Sequence, residues 1–306
     1  MAEKINFKEE NSEGLCLLTK ISNEKVAKNG KPYLVLTFSN GEEKLDVTIF
    51  CKRDEFQIDE KTVCHASLRK NGDYVDLMAL EARPNDADPL DFVLSSPENP
   101  EVYYTKILKT LTALRGDQTG TLYDLSIGMM EEYKTRLLYY PASEKYSHVY
   151  VGGQIYYMFT TLQDVVNLSR GSHEFNLETV ANAVILAPIS NLFTMDADEY
   201  GEGEKNLFAW MQNGSELSVK MIEKYLEVHD IGIGKPKLTP LFIAIRASHG
   251  KRSYGSSIEP ITREAYIVST LLSINAKLGI YDETLKTLDK GEMSGIDKFG
   301  YPIVNI

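Results

Sequence analysis

The sequence predicts an α+β protein with several domains, in which a small β-barrel is followed by an all-α domain. Two observations support this. Residues 13–83 read as short strands separated by turn signals, and from residue 102 onward apolar residues recur with helical spacing. Strands end where helices begin, so the chain is a β-module joined to an α-module and not an α/β repeat. The expected boundaries are 1–83 for the barrel domain, 84–101 for a linker and 102–306 for the helical domain.

The barrel prediction comes from five strand-like segments in about 70 residues. They are rich in β-branched and aromatic residues, and three Asn-Gly turns punctuate them at 29–31, 40–43 and 71–73. Short strands with tight turns in so few residues suit a small closed barrel, and the OB fold is the natural candidate.

The linker prediction rests on composition, and the helical prediction on period. Residues 84–101 are rich in Pro, Asp and Ser. Beyond them, 102–114 and 122–140 place apolar residues at i, i+3, i+4 and i+7, and further helices are expected near 151–168, 176–187, 215–228, 239–247 and 262–278.

Charge, cysteine count and hydropathy narrow the functional classes. The net charge of −11 argues against tight, non-specific binding to nucleic acid, since such binding draws on clustered Lys and Arg. Three cysteines, an odd number, fit no metal or redox motif and indicate reduced thiols. A charged N-terminus without an apolar stretch, and no apolar run long enough to span a bilayer, predict a cytoplasmic protein that does not enter a membrane.

The barrel is the surface on which nucleic-acid binding is most readily expected. OB folds stack bases on exposed aromatics and follow the backbone with cations. Strand alternation places Leu34, Leu36 and Phe38 on the core face and leaves Tyr33 on the other. Residues 1–95 carry 13 Lys and Arg against 18 Asp and Glu, so any basic groove must be local. The predicted nucleic-acid-binding residues are Lys31, Tyr33, Phe50, Lys52, Lys70 and Tyr74.

Several segments resemble the YhaM family of 3′–5′ exoribonucleases, from about residue 15 to about residue 285. They are NGKPYLVL (29–36), YPASEKYSHVYVGG (140–153), NAVILAPISN (182–191), ASHGKRSYGSSIEPITREA (247–265) and INAKL (274–278). The resemblance implies an N-terminal OB fold, a C-terminal HD-type domain with one or two divalent metals, and a homo-oligomer.

The chain departs from the family pattern where the resemblance places metal ligands. Residues that cannot bind a metal well occupy most of these positions, and two lone imidazoles remain. The positions are Ser147, His148, Tyr157, Ala187, Pro188, Trp210, Ser248, His249 and Leu272. The departures predict a catalytically inactive member, with no catalytic residue, no metal and no cofactor. His148 and His249 are either remnants in a filled cavity or neighbours in a residual pocket.

Three functional hypotheses follow. In the first, the barrel binds single-stranded nucleic acid and the helical domain is a scaffold or oligomerisation surface. In the second, the chain is a pseudoenzyme of phage or mobile-element origin that engages a protein partner. In the third, residual metal-dependent exonuclease activity persists. Lys251 and Arg252 lie on a probable loop that either contacts a phosphate or is only structural.

Overall fold

The computed structural model describes residues 3–72, 74–295 and 299–306. The chain divides into two compact units, Met1–Leu94 and Ser95–Ile306. The first contains an antiparallel sheet and the second is mainly helical, which confirms the α+β prediction.

The first unit is built on a six-stranded sheet. Five strands follow the order β2-β3-β1-β5-β6, and the sixth strand, β4, also pairs with β3. All these pairings are antiparallel. The strands are β1 (Asn11–Ile21), β2 (Lys25–Val26), β3 (Pro32–Ser39), β4 (Lys44–Ile49), β5 (Thr62–Asn71) and β6 (Tyr74–Ala82).

The sheet is not closed, which corrects the closed barrel expected from the sequence. Within the described residues no ladder joins β4 to β6. The six residues of β4 all pair with β3, and the chain then leaves the sheet through a 3₁₀ turn at Arg53–Glu55. Turn signals and strand patterns fix local pairings, whereas closure depends on the two edge strands meeting.

The core of this unit confirms the predicted alternation along β3. Leu34, Leu36 and Phe38 are fully buried, while Tyr33 is only half-buried. Cys16 and Cys64 face each other across β1 and β5 as free thiols, and burial raises the pKa of both.

The second unit packs its helices around α5, an apolar segment buried over most of its length. The helices are α1 (Pro100–Arg115), α2 (Leu122–Glu132), α3 (Lys134–Tyr139), α4 (Gly153–Ser169), α5 (Leu177–Leu186), α6 (Asn191–Thr194), α7 (Leu207–Met211), α8 (Gly214–Val228), α9 (Lys235–Arg246) and α10 (Arg263–Leu285). Helices α2, α4, α9 and α10 all pack against α5.

This unit is not all-α, which corrects a second expectation. A hairpin of β7 (Met195–Ala197) and β8 (Gly203–Lys205) lies between α6 and α7. Gly201 supplies the positive φ that the turn requires, and Met195, the first residue of β7, is buried.

One stretch among the described residues, Leu177–Thr194, is long and apolar enough to cross a membrane by length and composition. Since 72% of it is buried inside the helical unit, it has the properties of a core helix.

Candidate functional site

The helical unit contains a cavity of about 730 Å³. Its walls come from the loop between α3 and α4, the 3₁₀ turn Ala187–Ser190 that follows α5, the loop between α9 and α10, and the middle of α10. The turn exists because Pro188 cannot donate the hydrogen bond that would continue α5.

Seven of the nine family positions singled out in the sequence line this cavity. They are Ser147, Tyr157, Ala187, Pro188, Ser248, His249 and Leu272. These residues come from five separate parts of the chain, and the fold brings them together around one cavity. His148 and Trp210 are not among the lining residues.

Hydrogen bonds fix part of the wall. The Tyr157 hydroxyl donates to the carbonyl oxygen of Leu272 (2.9 Å), which ties α4 to α10. The side-chain amide of Asn191 donates to the carbonyl oxygen of Ala142 (2.9 Å) and to Oε1 of Gln154 (3.1 Å). These bonds consume both amide donors of Asn191 and leave its carbonyl oxygen as an acceptor.

Three serines on the wall are buried but keep their hydroxyls unpaired. Ser147, Ser190 and Ser248 have exposed fractions of 5%, 4% and 5%. Within the described part of the chain none of the three hydroxyls makes a hydrogen bond, although each residue lines the cavity. Because each residue lines the cavity, its hydroxyl keeps a donor and an acceptor for a water or a ligand there.

The electrostatic character of the wall comes from two basic groups. His249 and Lys277 line it, and the described lining includes no Asp or Glu. Burial lowers the pKa of His249, because the surrounding protein disfavours the charged imidazolium, and it raises the pKa of the Tyr157 phenol. Both groups are therefore neutral near pH 7, and Lys277 carries the positive charge.

His148 lies in a different place. It lines a second, smaller cavity of about 370 Å³ with Tyr156, Gly279 and Asp282. Its Nδ1 atom is buried without a hydrogen-bond partner, and burial lowers its pKa to about 4. The two histidines thus line separate cavities, and the idea that they share a residual pocket is wrong.

Trp210 is on the surface, on α7, with 79% of its side chain exposed. Leu207, Phe208 and Met211 of the same short helix are also exposed. The helix is connected to the cavity through its C-terminal side, since Gly214 lines the wall and the Asn213 amide donates to the carbonyl oxygen of Gly255 (2.8 Å).

Lys251 and Arg252 lie next to the cavity on the loop between α9 and α10. Nζ of Lys251 is 5.6 Å from the ring centroid of Tyr254, which lines the wall. The backbone N–H of Arg252 donates to Oε1 of Glu259 (3.3 Å), and the residue begins a short 3₁₀ turn. The loop therefore places one cation at an aromatic wall residue.

The cavity wall does not fit the divalent metals that the family resemblance implies. Among the described residues no group of three or more His, Cys, Asp or Glu side chains is placed to hold an ion. The part of the wall that the structure describes offers one imidazole and no carboxylate, whereas hard and borderline cations require several such donors. The chemistry of this cavity therefore rests on hydroxyl, amide, imidazole and ammonium groups.

The residues predicted on the sheet fall into two groups. Tyr33 and Phe50 are neighbours, with ring centroids 6.2 Å apart, and Lys31 and Lys52 are exposed within two residues of them. Lys70 and Tyr74 are exposed at the β5–β6 hairpin. The register puts these two groups at opposite ends of β1. Tyr33 pairs with Lys25, which follows the C-terminal end of β1, whereas Arg69, next to Lys70, pairs with Asn11 at the start of β1.

Sequence reasoning missed several wall residues. Ser190, Asn191, Ser273 and Lys277 lie in or beside the segments that carried the resemblance, but attention went to positions where metal ligands were expected. Phe299 lies beyond those segments, and nothing in the sequence pattern marked it.

Among curated proteins, the chain is similar to several named 3′–5′ exoribonuclease YhaM. It is 23% identical to the one from Halalkalibacterium halodurans over 90% of this chain and 87% of that protein. It is 22% identical to the proteins from Listeria innocua, over 92% of this chain and 90% of that protein, and Bacillus pumilus, over 91% and 89%. No family model matches the chain, and no solved structure matches it.

These similarities settle two of the sequence-based expectations. The predicted resemblance to the YhaM family is confirmed along nine-tenths of the chain. The prediction that the chain is not an enzyme is contradicted, because the relatives carry the name of an enzyme. Missing metal ligands at motif positions were given too much weight, since such positions describe one donor set and not every chemistry a cavity supports.

Proposed function

We propose that this chain, as a member of the YhaM family, binds single-stranded nucleic acid through the open sheet of its first unit. RNA is the first candidate for the bound strand. The relatives' printed names supply the substrate class, and the exposed aromatic pair on the sheet is the observation that carries the proposal.

The aromatic pair has the features of a stacking platform. Phe50 exposes 64% of its side chain and the ring is tilted 54° to that of half-buried Tyr33. Unstacked bases bind to such rings because every base offers a π-face, and nearby cations attract the phosphate backbone. Lys31 and Lys52 are the predicted cations beside these rings. The four residues together form the proposed Tyr33–Phe50 site.

The proposal reconciles binding with an acidic chain. A protein of net charge −11 repels polyanions at long range, so contacts with a strand must come from a small group of lysines and from stacking. We therefore expect moderate affinity with a shallow salt dependence, because few phosphates are neutralised.

Phe50→Ala tests the proposal, with Met78→Ala as the matched control. Met78 is an exposed apolar residue of β6 (53% exposed) outside the proposed site. Loss of one stacked base costs about 1–3 kcal/mol, so Phe50→Ala should raise the Kd for a labelled single strand roughly 5- to 150-fold, measured by fluorescence anisotropy. Met78→Ala should leave the Kd unchanged. Equal Kd values for all three proteins, or no binding by the parent chain, would overturn the proposal.

Removal of nucleotides from the 3′ end of RNA is the second candidate function, favoured by the names of the relatives. A denaturing gel of the anisotropy samples, incubated with and without manganese, should show shortening of a 5′-labelled strand. Blocking the 3′ end should stop the reaction. A strand of unchanged length in every lane would count against this activity.

A protein partner is the alternative to nucleic acid, favoured by the exposed apolar side chains of α7. Loss of a captured partner on Trp210→Ser, with unchanged binding by Phe50→Ala, would support it over the strand. We also propose a homo-oligomer, to be tested by light scattering of the purified chain.

A further inference from the structure

The main cavity of the helical unit has the polar groups of a ligand site that does not need a metal. Ser147, Ser190 and Ser248 are more than nine-tenths buried, and their hydroxyls lack protein partners. In a cavity of about 730 Å³, a size typical of small-molecule sites, three such hydroxyls converge from three separate parts of the chain. Groups of this kind hydrogen-bond a ligand that carries its own donors and acceptors.

The charge of the wall points to an anion. The chain has 44 Asp and Glu residues, yet the described lining contains none of them and does contain Lys277. Lys251 adds a second cation beside the wall residue Tyr254. Among the described wall residues the Lys277 ammonium has no carboxylate neighbour, and such a group favours a phosphate because its attraction is not already used by an internal partner.

The aromatic part of the wall points to a planar ring. Tyr146, Tyr254 and Phe299 line the cavity, and the first two expose 62% and 68% of their side chains. Nucleobases stack on rings of this kind, while the serine hydroxyls and the carbonyl oxygen of Asn191 are suited to sugar hydroxyls and base edges.

We propose that this cavity binds a nucleotide bearing one phosphate, without a divalent cation: Lys277 contacts the phosphate, and the buried serines contact the sugar or base. Two sources share this chemistry, a free nucleoside monophosphate and the last nucleotide of an RNA strand. The inference rests on the proposed function only for the choice of a nucleotide. The anion preference and the absence of a metal requirement come from the wall itself.

Isothermal titration of the full chain in EDTA tests the proposal. The probes are adenosine 5′-monophosphate, adenosine and inorganic phosphate. We expect the monophosphate to bind more tightly than either fragment, since only it engages the rings and Lys277 together. No heat from the monophosphate at millimolar concentration, or heat that appears only when manganese replaces EDTA, would overturn the proposal.

Variants place the binding in this cavity. Lys277→Gln removes the charge and should weaken the monophosphate roughly tenfold, while adenosine is unaffected. Lys224→Gln, at an exposed position of α8, is the matched control and should leave the affinity for the monophosphate unchanged. Ala276→Phe adds a ring to the wall and should abolish binding, with folding checked by circular dichroism. Equal affinity in Lys277→Gln and Lys224→Gln would place the nucleotide elsewhere.

The two sources are separated by competition, and the two proposals by Phe50→Ala. A strand with a 3′-terminal nucleotide held in the cavity should be partly displaced by the free monophosphate, whereas one held only on the sheet should not. Phe50→Ala should weaken binding of the strand and leave the affinity for the free monophosphate unchanged. If the strand does not bind but the monophosphate does, only the proposed function is contradicted. If the strand binds but the monophosphate does not, only the cavity proposal is contradicted.

Discussion

Substitution of Gly279 tests how tightly α10 is packed against His148. A Cβ atom at Gly279 would lie 2.4 Å from Cε1 and 2.7 Å from Nδ1 of the histidine ring. His148 is 4% exposed, and its backbone N–H donates to Oε1 of Glu283 (2.5 Å). It also lies close to the rings of Tyr156 and Tyr157, with centroids 5.6 Å away. The clash therefore has to be relieved by moving a buried ring that packs against two tyrosines.

The expected magnitude combines two opposing effects. Overpacking of a buried site costs about 1–3 kcal/mol. Replacing a helical Gly by Ala returns up to about 1 kcal/mol of helix propensity. Gly279→Ala should therefore lower the free energy of unfolding by about 1 kcal/mol. In a His148→Gly background the clash disappears, and the same change should raise stability by up to about 1 kcal/mol.

Both changes in the free energy of unfolding can be measured by urea denaturation of four proteins: the parent chain, Gly279→Ala, His148→Gly and the double variant. Unfolding is monitored through the circular dichroism of the helical unit. His148→Gly suits the site because the histidine has a φ of 53°, a conformation that glycine adopts without strain. A change of sign between the two backgrounds supports the packing argument. The same sign and size in both backgrounds would refute it.

Two further predictions concern the same unit. His148 has a native pKa near 4 against an ordinary value of 6.5, so between these values the unfolded state binds more protons and stability falls as the pH is lowered. His148→Asn, which tolerates positive φ, should lose less stability over that window in denaturation at pH 7 and pH 4.5; an identical loss would contradict the assignment. The Asn213 side chain caps α8 and donates to the carbonyl oxygen of Gly255, whereas the Asn176 side chain caps α5. Each change to Ala should cost about 1–2 kcal/mol in thermal or urea unfolding, but only Asn213→Ala should also weaken the monophosphate; equal effects on binding would contradict the role of Asn213.

The sequence predicted those parts of the fold that local physics determines. Alternation along β3 placed Leu34, Leu36 and Phe38 in the core, and helical spacing identified α1, α2 and α4. Closure of the sheet and the β7–β8 hairpin were not predictable in this way. Both depend on edges and turns meeting in space, which residue periodicity does not encode.

Seven of the nine family positions line one cavity, but the sequence did not predict the other side chains of its wall. Family motifs brought Ser147, Ala187 and His249 into one cavity although they lie far apart in sequence. They did not reveal that His148 points into a second cavity, because its direction follows from a positive φ and from Glu283. Lys277 lies within the INAKL segment (274–278), but a lysine on a helix is not by itself distinguished from a surface residue.

A relationship at 22–23% identity transfers a backbone frame more securely than a set of donor atoms. In this chain the frame is α4, the turn after α5, and α10, and the Tyr157 hydrogen bond to the carbonyl oxygen of Leu272 joins α4 to α10. What that frame holds must be worked out from the side chains that line it, and these are hydroxyls, an amide, a neutral imidazole and one ammonium. Such a wall binds an organic phosphate directly, whereas a metal-based wall binds it through an ion. The response of binding to EDTA therefore distinguishes the two chemistries within the same frame.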